Sequence, residues 1–210
     1  MRAWHRHLAL LASGAALCLA AVTPASGAEP GWVVGPVSPA AFTGQNEGNF
    51  VRLINNALPE SCGRVSIAGS LASTHDPSTA VGTVATSTFH SPDRPCTTLL
   101  GNSHRTTKPG GKLKVEKYDA ATGITTGRLD NYVEETLLGA MRWTTAGHVP
   151  WTYENGTGHL RLEASGNDLT IVASQNGGAL LPVGAPVTLK GTLLLSIQGT
   201  NTPPTLTPQP

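Results

Sequence analysis

The sequence predicts an all-β domain, either an antiparallel β-sandwich or a closed β-barrel of about eight to ten strands. Three observations carry this expectation. Between residue 29 and about residue 200, short β-branched and apolar stretches are broken by Gly, Asn, Asp or Pro every 8 to 12 positions. Helical periodicity is nearly absent. Alternation of period two recurs at Val65-Ile67-Gly69-Leu71, Leu113-Val115-Lys117 and Leu160-Leu162-Ala164, while Arg64, Lys112, Lys114, Glu116, Arg161 and Glu163 fall on the opposite faces. Such alternation describes a sheet with one packed and one wet side.

Along the chain, Tyr118 to Gly123 forms a turn into Ile124-Thr125-Thr126, with Gly123 suited to positive φ. Residues Asn131 to Met141 fit a short helix or a strand, because the Leu137-Leu138 pair serves either. Asn155-Gly156 marks a hairpin between Val149–Tyr153 and His159–Glu163, and its register puts His148 about opposite His159. Ser165-Gly166-Asn167-Asp168 returns the chain into Leu169–Val172, and Asn176-Gly177-Gly178 leads to a last long strand over Val187–Ile197, so the second half reads as a meander. Thr200 to Pro210, rich in Thr and Pro, reads as a disordered tail after a single domain over 29–199.

Residues 1 to 28 have the three parts of an export signal: Arg2 and Arg6, an apolar run from Leu8 to Val22, and the small exit Ser26-Gly27-Ala28. Cleavage is expected after Ala28, giving a secreted, extracellular chain with no transmembrane segment. Cys18 leaves with the signal, since Leu17 before it does not fit a lipoprotein site. Cys62 and Cys96 then remain as an even pair in an oxidising compartment, which reads as a disulfide. No Thr-Gly ending follows Leu181-Pro182 to make a wall-sorting motif.

Composition excludes several functions. Charged residues make up 13% of the chain, and without Arg2 and Arg6 there are 12 basic against 13 acidic side chains. Nucleic acid is therefore not an expected partner. Lys108, Lys112, Lys114 and Lys117 form a wet strand face. No G-x-S-x-G or S-x-x-K occurs, and no cofactor motif or metal-ligand spacing is present. His75-Asp76 and His90 with Asp93 read as loop residues, and Asp130, Glu134 and Glu135 as a solvated rim.

Four strings add a resemblance. Val37-Ser38-Pro39-Ala40-Ala41-Phe42-Thr43-Gly44, Tyr118-Asp119-Ala120-Ala121-Thr122-Gly123-Ile124-Thr125-Thr126-Gly127, Tyr153-Glu154-Asn155-Gly156-Thr157-Gly158-His159-Leu160 and Val187-Thr188-Leu189-Lys190-Gly191-Thr192 stand in this order. They resemble the signatures of an uncharacterised family of small secreted actinobacterial β-rich proteins. That resemblance implies secretion and an all-β fold, and brings no activity or catalytic residue. Family members often have four cysteines; the later two, expected near Gly139 to Met141 and Asn176 to Ala179, are absent here. Their joint absence favours pairing of Cys62 with Cys96.

The leading expectation is a secreted, non-enzymatic domain with an extracellular or envelope binding role, or a structural one, its partner a cell-wall or extracellular glycan or a protein. A second is a carbohydrate-binding module in which Trp143, Trp151 and Tyr153, with Tyr132 shortly before, stack on sugar rings. Against it stands the commoner use of such rings as core. A third is a hydrolase with an unfamiliar site.

Overall fold

A computed structural model of the chain describes residues 31–89 and 95–210. The expected export signal and the His90/Asp93 pair lie outside the described residues. In chain order the strands are β1 (Trp32–Gly35), β2 (Ala40–Ile54), β3 (Leu58–Cys62), β4 (Ser66–Leu71), β5 (Gly82–Thr88), β6 (Cys96–Thr98), β7 (Gly101–Thr107), β8 (Gly111–Asp119), β9 (Ile124–Leu138), β10 (Met141–Glu154), β11 (His159–Ala164), β12 (Leu169–Gln175), β13 (Val187–Ile197) and β14 (Thr205–Pro208). The segment that could have been a helix is the end of β9 and its turn into β10.

The pairings close on themselves. β2 pairs with β4, β4 with β5, β5 with β8, β8 with β9, β9 with β10, β10 with β11, β11 with β13 and β13 with β2, all antiparallel. Eight strands thus form a barrel, which leaves no open edge around this ring.

A second tier shares the long strands. Beyond residue 49, β2 changes partner from β4 to β3, and a path β3–β6–β7 leads to the far half of β9. Likewise β10 pairs with β11 over Trp151–Glu154 and with β12 over Arg142–Gly147. The second half is therefore not a simple meander, because β11 and β12 lie end to end along one edge of β10.

Local backbone irregularities mark the change of tier. β2 carries extra residues opposite Gly191, with Gly48 at φ 72°. β9 has one extra residue at Asn131, φ 56°, and the register of β10 shifts between Gly147 and Val149. A bulge bends a strand and re-aims the residues past it. In each long strand the bulge sits where the neighbour changes, and period-two burial then resumes.

The interior is filled. Phe42, Ile67, Leu113, Leu129, Trp151 and Leu193 are buried in the first tier. Gly127 lets Trp151 approach β9 closely, since a Cβ there would stand 2.5 Å from the indole Cζ2. The lumen between Phe50, Phe89, Leu129, Tyr132, Leu160 and Leu193 contains a void of about 20 Å³. That is room for about one water molecule.

The expected disordered tail is instead a strand. β14 pairs with β1 over Trp32–Gly35, and Leu206 is buried with Trp32 and Val34. The Tyr153 hydroxyl donates to Pro204 O at 2.5 Å and the Thr125 hydroxyl to Leu206 O at 2.6 Å. Asn155 Nδ2 donates to Leu206 O, and its Oδ1 accepts from Leu206 N. β1 and β14 together cap the first tier.

Candidate functional site

The densest chemistry among the described residues lies inside the second tier. On β2, the inward row after the bulge is Phe50, Arg52 and Ile54; on β3 it is Leu58, Glu60 and Cys62. On β9 it is Tyr132, Glu134, Thr136 and Leu138, and β7 contributes Ser103 and Arg105. All the charged members are buried.

Two arginines and two glutamates close a ring of ion pairs. Arg52 contacts Glu60 (Nε to Oε2, 2.6 Å) and Glu134; Arg105 contacts Glu60 at 3.3 Å and Glu134 at 2.5 Å. Each guanidinium thus bridges both carboxylates, and the formal charges cancel. Hydroxyls fill remaining lone pairs: Ser103 donates to Glu60, and Tyr132 and Thr136 donate to Glu134. Arg52 also donates to Thr136 Oγ1 at 2.9 Å.

Aromatic faces complete the enclosure. Arg105 lies 3.9 Å from the ring centre of Phe89, and Arg52 5.6 Å from that of Trp143. Burial alone would raise the Glu134 carboxyl, but the Arg105 and Arg52 guanidiniums, with hydrogen bonds from Arg105 and Tyr132, bring it down to about 2. Tyr132 moves up, first through burial and then through the Glu134 charge. Arg105 is held protonated by Glu134 and Glu60 against the effect of burial. Glu134 and Arg105 therefore keep their charges across the ordinary pH range.

The disulfide flanks this ring. Cys62 and Cys96 face each other across β3 and β6 and are bonded, and Arg105 Nη1 lies 3.3 Å from the Cys62 sulfur. The Glu60 carboxylate is near both sulfurs, but these are joined to each other, so the three do not form a metal-ligand set. Closing the 34-residue span is expected to stabilise by about 4 kcal/mol. Replacing both cysteines by serine and measuring the urea midpoint tests this; an unchanged midpoint would remove the staple role.

The sequence-predicted residues fare unequally. Trp143, Trp151, Tyr153 and Tyr132 are all buried, so none offers a ring face to a sugar. This corrects the stacking platform: period two in β9 and β10 turns all four inward. The rim expected at Asp130, Glu134 and Glu135 is also corrected. Glu134 points into the barrel, while Glu135 pairs outside with Lys108 at 3.1 Å and Asp130 with Arg128 at 2.8 Å.

His148 and His159 do not face each other, because the hairpin pairs Glu154 with His159. His148 Nε2 lies 3.1 Å from Asp168, and His159 Nε2 2.9 Å from Glu47. Ser165 also donates to Asp168, at 2.6 Å, beside an open groove of about 530 Å³. Here serine and imidazole both address the carboxylate, an order unlike the serine–imidazole–carboxylate relay that activates a nucleophile. His75 contacts Gln209, and Asp76 accepts from Ser78 and Thr79 as a turn former; these hydrogen bonds hold its carboxyl below the usual value.

No family model matches this chain, and no curated protein or solved structure matches it either.

Proposed function

We propose that the protein is a secreted, non-enzymatic barrel that acts outside the cell or in the envelope, as a binding or structural component working through its outer surface. One observation carries the proposal: the richest set of ionisable groups among the described residues is turned inward, sealed and compensated within itself. A catalytic or binding set has to meet its ligand, and this one meets its own members and the disulfide and aromatic rings that enclose it. The filled lumen supports the same view, since ligand pockets commonly measure roughly 300–1,000 Å³. The disulfide suits an oxidising compartment.

The test is turnover and binding by the exported protein. No hydrolysis is expected with a panel of esters, peptides and glycosides, whereas insoluble cell-wall fractions or extracellular proteins are expected to retain it. Hydrolysis abolished by His148→Ala would overturn the non-enzymatic assignment and make the His148–Asp168–Ser165 group the site.

A further inference from the structure

Among the described residues, the turns that close one end of the barrel carry no ionisable side chain, and Arg142 and His104, both opposite Leu137, stand on the wall behind them. The turns are built from segments 55–59, 97–102, 139–140 and 175–186, which contain no Lys, Arg, His, Asp or Glu. Topology places them together. β2 and β9 both end there, β13 starts there, and Thr98 pairs with Gly101 beyond the level of Leu138. Asn55 Nδ2 donates to Leu180 O at 3.1 Å, and Asn176 Nδ2 to Ala140 O at 3.0 Å, tying the loops to one another. The opposite end is charged: its turns and their flanks carry His75, Asp76, Asp119, Glu154 and His159.

Large apolar side chains project from the uncharged turns. Leu99 is 81% and Leu100 56% exposed at the tip of the β6–β7 hairpin, and Val183 is 65% exposed. Hairpin tips ordinarily carry Gly, Asn, Asp or Ser. Adjacent leucines there leave apolar surface in water that the fold itself does not use.

We infer that this end seats on a lipid surface, with the Leu99–Leu100 tip entering the boundary between headgroups and acyl chains. The absence of charge from these turns decides the matter, because hydrocarbon penalises every charged side chain brought to it, whichever its sign. A second copy of the chain fits less well. A stable protein interface takes about 20–30 residues a side around a contiguous apolar centre, whereas the large apolar groups here stand on two separate loops. This inference goes beyond the role proposed above and holds whatever the barrel walls bind.

The test uses protein recovered after export and shown by intact mass to lack residues 1–28, so that the apolar run of the leader contributes nothing. It is co-sedimented with neutral phosphatidylcholine vesicles at low and high salt. Binding is expected to be unaffected by salt, and its partition coefficient to fall at least about tenfold in Leu99→Asp and in Leu100→Asp. Val37→Asp, at an exposed apolar site on the other end, is expected to bind as the parent does. Equal urea midpoints would establish that the variants fold alike. Absence of binding, binding lost in salt, an equal effect of Val37→Asp, or a dimer dissolved by Leu99→Asp would each overturn the inference.

Discussion

Glu134→Gln is expected to cost about 3–5 kcal/mol of folding stability, because it removes one of two carboxylates shared by two buried guanidiniums. Arg52 and Arg105 would then have only Glu60 between them, in a site that water does not reach. The neighbouring change Glu135→Gln removes only an exposed pair with Lys108 and is expected to cost at most about 1 kcal/mol. Urea unfolding of both variants checks the contrast, which holds only if these adjacent glutamates face opposite sides of the wall. A similar loss in both would refute it.

The same group sets a pH dependence. Its folded-state pKa lies below its unfolded one, so Glu134 contributes stability that is fully present above the ordinary carboxyl value of 4.5 and is lost as the pH falls towards about 2. Between those limits the unfolded chain binds more protons. Stability is therefore expected to rise with pH through that window, and the slope to shrink in Glu134→Gln.

Ending the chain after Pro203 is expected to cost at least about 4 kcal/mol. It removes buried Leu206, the pairing partner of β1, and the acceptors of the Tyr153 and Thr125 hydroxyls. Asn155 would lose both its contacts to Leu206. Trp32 and Val34 would lose their cover at the end of the first tier. The urea midpoint of the truncated chain is the measurement; a midpoint within error of the parent would mean that the end frays after all.

These two effects also show where the sequence was legible. Alternation at Leu160-Leu162-Ala164 and the turns at Gly123 and Asn155-Gly156 led directly to the observed strands, because each rests on neighbours a few residues apart. Thr205–Pro208 did not, since a four-residue strand without alternation becomes one only through β1, far away in sequence. Closure was equally hidden: β4 reaches β2 across a gap in sequence, and the partner changes depend on bulges such as Asn131.

The ion-pair ring leaves a trace in the sequence. Arg52 stands between Phe50 and Ile54, Glu60 between Leu58 and Cys62, and Glu134 shares its phase with Tyr132 and Leu138. Each charge is thus in step with an inward row. Arg105 offers less, having Ser103 and Thr107 at the same spacing. No local pattern could supply the matching of charges across β2, β3, β7 and β9, which makes burial tolerable. The aromatic group misleads for the opposite reason: proximity along the chain suggests a platform, whereas phase sends Trp143, Trp151, Tyr153 and Tyr132 into the core.

The most direct test of the sealed ring is the carboxyl carbon shift of Glu134 followed by NMR as the pH is lowered in the folded protein. With its pKa at about 2, the signal should stay that of a carboxylate from neutral pH to about pH 3.5. A midpoint at or above 4.5, the ordinary carboxyl value, would mean that the two guanidiniums do not hold its charge, and would contradict the ring.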